Sequence, residues 1–143
     1  MKKDRYNEDT DEQPIDPAVV SADVDGSSVD LQGYESVTFI ASVGETTTTL
    51  NSTNNIELEV EESADDSSFT DVDDDDLIGE VAGTNDGCFG VIDAAADDDA
   101  SFRCQYVGDK RYVRPVINVI GTVATGPPIG VVAIKHGYKY PPA

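Results

Sequence analysis

The sequence lacks basic residues over most of its length. Of its 143 residues, none from Tyr6 to Phe102 is lysine or arginine, although this stretch holds 18 aspartates and 9 glutamates. The nine basic residues lie near the two ends of the chain, and the formal net charge is −20. Because binding to duplex nucleic acid needs a dense basic footprint that displaces counterions from the phosphates, we expect no nucleic-acid partner.

Residues that carry much enzyme and metal chemistry are also scarce. The chain has two cysteines, one histidine and no tryptophan. Two thiols are too few for a disulfide scaffold or a four-cysteine zinc site, and we expect Cys88 and Cys104 to be buried and unpaired; a bridge formed later is the alternative. No serine or cysteine stands in a nucleophile motif, and no phosphate-binding glycine loop is present. We therefore expect no enzymatic activity, no catalytic residue, no metal ligand and no cofactor.

Long apolar runs are missing as well. No stretch approaches the roughly 18 apolar residues of a transmembrane helix. The basic start of the chain is not followed by the apolar segment of a secretory signal. The expectations are therefore no membrane partner and synthesis in a cytoplasm.

Aspartate, in contrast, is abundant, and two explanations of this acidity compete. One is adaptation to high salt, because the Debye length falls to about 3 Å at 1 M and screens self-repulsion; the other is a face for cations or a basic partner. The wide spread of the acids favours the first. Asp71, Asp73 and Asp75 have the spacing of EF-hand ligands, but Asp76 replaces the glycine and Ala82 the bidentate glutamate, so a solvated acidic loop is preferred over a cation site.

The apolar periodicity is that of β-strands. In residues 35–43, Val37, Phe39, Ala41 and Val43 alternate with Ser36, Thr38 and Ser42, and only Ile40 breaks the pattern. Residues 56–62 place Ile56, Leu58 and Val60 on one side and Glu57, Glu59 and Glu61 on the other. Period-two alternation is typical of a sheet with one wet face, so the glutamates are expected to face solvent or an interface. Seven or eight such strands predict an all-β, single-domain antiparallel β-sandwich or partly closed barrel.

The pattern also predicts how the chain is divided. Residues 1–17 are polar, contain Pro14 and Pro17, and are expected to form a flexible N-terminal arm. Residues 18–136 form the β-domain and residues 137–143 a C-terminal tail. Gly108, Asp109 and Lys110 are expected to turn a hairpin between two strands, and Pro115 marks an edge strand or a bulge.

Lys110, Arg111, Tyr112 and Arg114 form the strongest candidate interface. Arginine and tyrosine are enriched at protein interfaces, since the guanidinium fork binds carboxylates and the ring adds rigid contact area. The alternating pattern predicts Arg111 beside Val113 on one face, and the other three on the opposite face. The alternative is that these cations neutralise the chain's own acidic strands, such as residues 56–62.

Three segments resemble small virion proteins of tailed viruses of bacteria and archaea, some of which are capsid decoration (cement) proteins. They are Val29–Phe39 (VDLQGYESVTF), Glu61–Val72 (EESADDSSFTDV) and Tyr106–Arg114 (YVGDKRYVR), and the resemblance spans roughly residues 20–135. It implies a homo-oligomeric β-domain, expected as a trimer, seated on the capsid exterior and bound to the major capsid protein. A marine or halophilic host would match the acidity.

Two other functions stay open. A neck or tail component of the same particle has the same sequence features as a cement protein. A secreted β-sandwich that binds cations or glycans, such as an adhesin module, belongs to a different class; the missing signal segment and the absence of tryptophan count against it. Because a virion protein is the preferred interpretation, the expected location is the capsid exterior of the virion.

Overall fold

The computed structural model describes residues 4–137, so residues 1–3 of the predicted arm and 138–143 of the predicted tail lie outside the described residues. Within residues 4–137 the one helical element is a 3-10 turn at Asp74–Asp76. The strands are β1 (Thr10–Val19), β2 (Val24–Asp25), β3 (Val29–Asp30), β4 (Ser36–Val43), β5 (Asn55–Ser63), β6 (Thr70–Asp71), β7 (Leu77–Ile78), β8 (Cys88–Ile92), β9 (Ala100–Tyr106), β10 (Tyr112–Ile120) and β11 (Pro128–His136).

The strands form two antiparallel sheets. Sheet A has the order β1-β11-β4-β9-β7; sheet B has the order β2-β10-β5-β6, with β3 also beside β10 and β8 beside β5. Most connections carry the chain from one sheet to the other. The predicted all-β antiparallel sandwich is thus confirmed, and the sheets do not close into a barrel.

The core lies between the facing sides of the two sheets. Alternate residues of β4, such as Val37, Phe39 and Ala41, are fully buried, and Ile56 and Leu58 of β5 face them from sheet B. Burying one such aliphatic or aromatic side chain contributes roughly 1.5–3 kcal/mol. The alternation read from the sequence therefore identifies the inward-facing residues of both strands correctly.

The predicted flexible arm is wrong from Thr10 onward. Residues 10–19 form the edge strand β1, in which Ile15 lies opposite Val131 and is buried. Pro14 and Pro17 sit at the two irregularities of the β1–β11 register, where a missing N–H removes no ladder bond. The β-domain therefore begins before residue 18, because an edge strand with two bulges accommodates both prolines.

The predicted hairpin is also wrong. β9 belongs to sheet A and β10 to sheet B, so residues 108–110 cross the end of the sandwich. Each strand has one apolar face, with Tyr106 on β9 and Val113 on β10 both fully buried. Two such faces bury more apolar surface when they pack across a core than when the strands lie side by side in one sheet.

Pro115 lies at a break in the strand pairing, as expected. On one side of β10, β3 pairs with residues 112–113 and β2 with residues 116–117, and the chain bulges between them. The backbone N–H of Gly26 donates to the Pro115 carbonyl at 2.9 Å. β10 is therefore not an edge strand, and its register with β5 is unbroken at Pro115, which pairs with Val60. The irregularity lies in the facing segment, where residues 26–28 stand opposite residues 114–115, and the missing N–H of Pro115 faces this gap between β3 and β2.

Candidate interaction surface

The four predicted interface residues lie together at one end of the sandwich, in the β9–β10 connection and the start of β10. Tyr106 holds this connection in place: its fully buried hydroxyl donates to Glu62 Oε2 at 2.6 Å and accepts the Lys110 backbone N–H at 3.0 Å. Burial and the neighbouring Glu62 carboxylate raise the pKa of the Tyr106 hydroxyl, so it stays a protonated donor. Gly108 is required here, because a Cβ would lie 2.5 Å from that hydroxyl oxygen.

Arg111 is bound to its own chain. Its guanidinium donates two hydrogen bonds to the Asp30 carboxylate, both 2.9 Å, and a third to Gln32 Oε1 at 2.7 Å. It also lies 5.0 Å from the centre of the Tyr112 ring. The hydrogen bond from Arg111 lowers the pKa of Asp30, which keeps the pair charged. The expectation that Arg111 shares a face with buried Val113 is therefore wrong, because Arg111 precedes the strand and turns toward Tyr112.

Arg114 is also bound to its own chain, and it is less exposed than Arg111. On the outer face of sheet B its Nε and Nη2 contact Glu61 Oε2 at 2.7 and 2.6 Å, and Nη2 lies 3.5 Å from an Asp25 carboxylate oxygen. The guanidinium stacks 4.2 Å from the centre of the half-buried Phe69 ring. β5 holds Glu61 directly opposite Arg114. The alternative explanation, that the cations neutralise the chain's own acidic strands, is confirmed for Arg114 and Glu61.

Lys110 and Tyr112 complete the cluster. Tyr112 is half-buried at the start of β10, and the Lys110 side chain is exposed. Among the described residues Lys110 makes no ion pair. A groove of about 450 Å³ runs beside it, between residues 31–35 and 108–111. The structure thus brings the four residues together but leaves only the Lys110 ammonium uncommitted; their role as an interface stays a prediction.

The structure also contains a buried pair of carboxylates that contradicts the predicted wet glutamate face. Glu57 and Glu59 are only 5% and 1% exposed. Glu57 accepts the Thr84 backbone N–H at 3.1 and 3.0 Å and its hydroxyl at 2.9 Å. Glu59 accepts from Asn118 at 2.6 Å and from Asn85 at 3.5 Å. Residues 80–86 therefore cover this part of β5.

Burial raises the pKa of Glu59 to about 7, against the opposing effect of the hydrogen bonds from Asn118 and Asn85. One possible partner amide for these buried acids can be recognised once the strand register is known. Asn118 pairs with Glu57 in the β5–β10 register, and an amide beside a carboxylate is a usual partner for a buried acid. Nothing in the local pattern of β5 shows that a distant loop covers it.

Other polar side chains, among them those of the aspartate run and the single histidine, brace loops. Asp74 accepts the Gly87 backbone N–H at 3.0 Å, and Asp73 caps the 3-10 turn. His136 contacts Asp9 Oδ1 at 3.1 Å and Thr38 Oγ1 at 2.7 Å, which ties the N-terminal turn to sheet A. Residues 4–137 contain no cluster of three histidine, cysteine or acidic side chains placed to hold a metal ion, and no helix there is long and apolar enough to cross a membrane.

Both cysteines are buried and free, as predicted. Cys88 begins β8, and Cys104 lies on the inward face of β9. Burial raises the pKa of the Cys88 thiol to about 11 and that of Cys104 further. Neither thiol therefore has the thiolate character of a reactive cysteine.

No protein-family model matches the sequence, and no curated protein matches it either. Three solved structures resemble this one to different degrees. The PBSX exported protein XepA superposes with a TM-score of 0.52 at 15% identity, covering 94% of this chain and 39% of XepA. The SPBc2 prophage-derived protein YomS gives 0.48 at 14% identity, covering 90% and 93%. VP2 of the infectious bursal disease virus subviral particle gives 0.40 at 11%, covering 93% and 33%. The chain thus shares the β-sandwich fold of XepA and spans about two-fifths of it.

Proposed function

We propose that this protein is a non-enzymatic structural component of a tailed-virus particle, and that it decorates and stabilises the capsid shell by binding the major capsid protein. It acts as a homo-oligomer on the outside of the shell. A neck or tail position on the same particle is the nearest alternative.

The main support for this proposal is that the polar side chains hold the fold together. Within residues 4–137, the buried or strongly hydrogen-bonded polar groups brace loops and strands of the sandwich, as the Tyr106–Glu62 and Glu57–Thr84 contacts illustrate. A rigid sandwich braced in this way suits a load-bearing role better than catalysis, which needs a nucleophile, a base and a binding cleft to converge. The fold shared with XepA and the resemblance of three segments to virion proteins support the same function.

The contact with the shell is proposed at the Lys110 end of the sandwich. The Lys110 ammonium is free to bind a carboxylate of the capsid protein, and the neighbouring groove offers room for a loop. Arg111 is 45% exposed while it holds Asp30, so its outer edge and the Tyr112 ring extend the same surface. Arg114 contributes by fixing β10 against β5.

Purified particles from the host that carries the gene test this proposal. We expect the protein in stoichiometric amounts in washed virions and as density on the outer shell in a cryo-EM map. Lys110→Gln should lower binding to stripped particles about tenfold, because a desolvated interfacial charge pair is lost. Thr47→Glu is the matched control: it changes the net charge by the same amount in the loop at the opposite end of the sandwich.

Absence from purified particles, together with recovery of the protein from the culture medium, would refute the proposal and favour the secreted binding module. Density at the neck or tail instead would keep the virion role and reject decoration of the shell.

A further inference from the structure

The strands of sheet A other than its edge strand β1 carry no acidic residue. β4, β7, β9 and β11 contain neither aspartate nor glutamate, in a chain that has 29 of them. The exposed side of these strands should be as acidic as the rest of the surface if it only faced solvent. A surface on which four of the five strands carry no acid, on so acidic a chain, indicates a face that is covered.

Strand alternation and register define this surface, here called the outer face of sheet A. Because Val37, Phe39 and Ala41 point into the core, Thr38 and Ile40 point outward. The pairing places β11 and β9 residues beside them on the same side. Its members are Thr38, Ile40, Ser42, Ile78, Ser101, Arg103, Gln105, Val132, Ile134 and His136, with Asp11 on the edge strand β1. At the His136 end the N-terminal turn borders the face, because His136 contacts both Thr38 and Asp9.

Apolar side chains form the middle of this face. Ile40 and Val132 lie opposite each other in the β4–β11 register. Val132 is 37% exposed, and Ile78 on the β7 edge is 59% exposed. Such β-branched side chains on the open side of a sheet suit packing against a second sheet about 10 Å away.

The two charged strand residues of this face lie toward opposite edges. Arg103 is next to Ile40 on β9, and Asp11 is next to Ile134 on β1. Both are exposed, and neither forms an ion pair with another described residue. In the order β1-β11-β4-β9-β7 the apolar residues of β11 and β4 separate them.

We propose that a second copy of this chain packs on the outer face of sheet A, face to face, about a twofold axis parallel to β4. Such an axis reverses the strand order of the second copy. As a result, β1 of each copy lies over the β9–β7 edge of the other, and Asp11 of each copy comes near Arg103 of the other. The acidic faces of sheet B then point away from each other on the two sides of the pair. This inference rests on one part of the proposed function, that the protein acts as a homo-oligomer, and specifies which surface joins two copies.

The area of the outer face of sheet A limits how tightly two copies can bind each other. Five strands about 4.8 Å apart and about seven residues long give roughly 550 Å² per copy. Two copies would bury roughly 1,100 Å², near the lower limit of specific interfaces, so we expect a dissociation constant in the micromolar range.

Analytical ultracentrifugation of the purified chain from about 1 to 500 µM tests the inference without any viral particle. In 1 M NaCl, which screens the net charge, the mass should rise from 15.2 kDa to twice that value. Val132→Glu should weaken the pair at least tenfold, whereas Thr47→Glu, which adds the same charge in an exposed loop, should leave it unchanged.

A charge swap provides the second variant set, because exposed Asp11 and Arg103 can be exchanged without touching the core. Asp11→Arg and Arg103→Asp should each weaken the pair about fivefold at 0.15 M salt, and the double variant should restore it. A monomer at every concentration, a three-copy assembly, an unaffected Val132→Glu variant or a double variant without recovery would each overturn the inference. A monomer that still binds virions would overturn the pair and the homo-oligomeric part of the proposed function, and would leave the virion role standing.

Discussion

The two sheets of this sandwich share one core but use opposite chemistry on their outer sides. In sheet A the central strands carry hydroxyl, amide and aliphatic side chains outward, together with Arg103 and His136 but no acid. In sheet B the strands carry six acids outward, Asp25, Asp30, Glu57, Glu59, Glu61 and Asp71, around the single cation Arg114. The stability of sheet B should therefore depend strongly on pH, salt and charge partners, whereas that of sheet A should depend more on apolar packing.

The largest effect is expected from pH acting on Glu59. Its folded pKa of about 7 lies above the ordinary value of 4.5, so the folded state holds its proton more tightly. The stability from this group is complete below pH 4.5 and is lost as the pH rises through 7. At about 1.4 kcal/mol per pK unit, the free energy of unfolding should fall by up to about 3 kcal/mol between pH 4.5 and 8.

Urea titrations at several pH values measure this dependence, and Glu59→Gln should flatten the curve. Asp109→Asn removes a carboxyl group from an exposed loop and serves as the control. An equal slope for wild type and Glu59→Gln would show that other groups cause the pH dependence.

Substituting one arginine on each sheet compares how much charge partners contribute to the stability of the two sheets. Arg114→Ala should cost about 1–3 kcal/mol, because it leaves the partly buried Glu61 carboxylate without its partner and removes the contact with Phe69. Arg103→Ala on sheet A should stay within about 0.5 kcal/mol in dilute monomer, as expected for an exposed side chain. Equal losses in urea unfolding would contradict the assigned difference between the sheets.

Salt should stabilise the fold through sheet B and the acidic loops. Screening at 1–2 M monovalent salt weakens repulsion among carboxylates, so the thermal midpoint should rise. A gain of about 1 kcal/mol corresponds to roughly 3–5 °C for a domain of this size. A midpoint that stays flat or falls would argue against salt adaptation, and stabilisation by millimolar calcium alone would instead indicate specific cation sites.

The smallest effect concerns the thiols, one in each sheet. Cys88 of β8 lies under residues 80–86, with Gly83 packed against its sulfur, whereas Cys104 lies in the core cluster. Opening the loop should expose Cys88, but only larger unfolding should expose Cys104. A thiol reagent followed by mass spectrometry should label Cys88 first. Simultaneous labelling, or an intact mass two hydrogens short without reductant, would contradict this.

Several features could be predicted from local pattern. The alternation in β4 and β5 identifies Val37, Phe39, Ile56 and Leu58 as core residues, and Pro115 indicates a break in strand pairing. The interface cluster is one continuous segment, so its members were bound to lie near one another. The intramolecular partners Asp30 and Glu61 could not be assigned, because strand pairing brings them from more than 50 residues away.

The all-β class, the inward-facing residues and the segregation of charge follow from the order of residues along the chain. The folded structure was needed to show that Thr10–Val19 completes sheet A and that β9 and β10 lie in different sheets. It also decided that a loop buries Glu57 and Glu59. A period of two shows that a strand has two unlike faces, but what covers each face depends on segments far away in the chain.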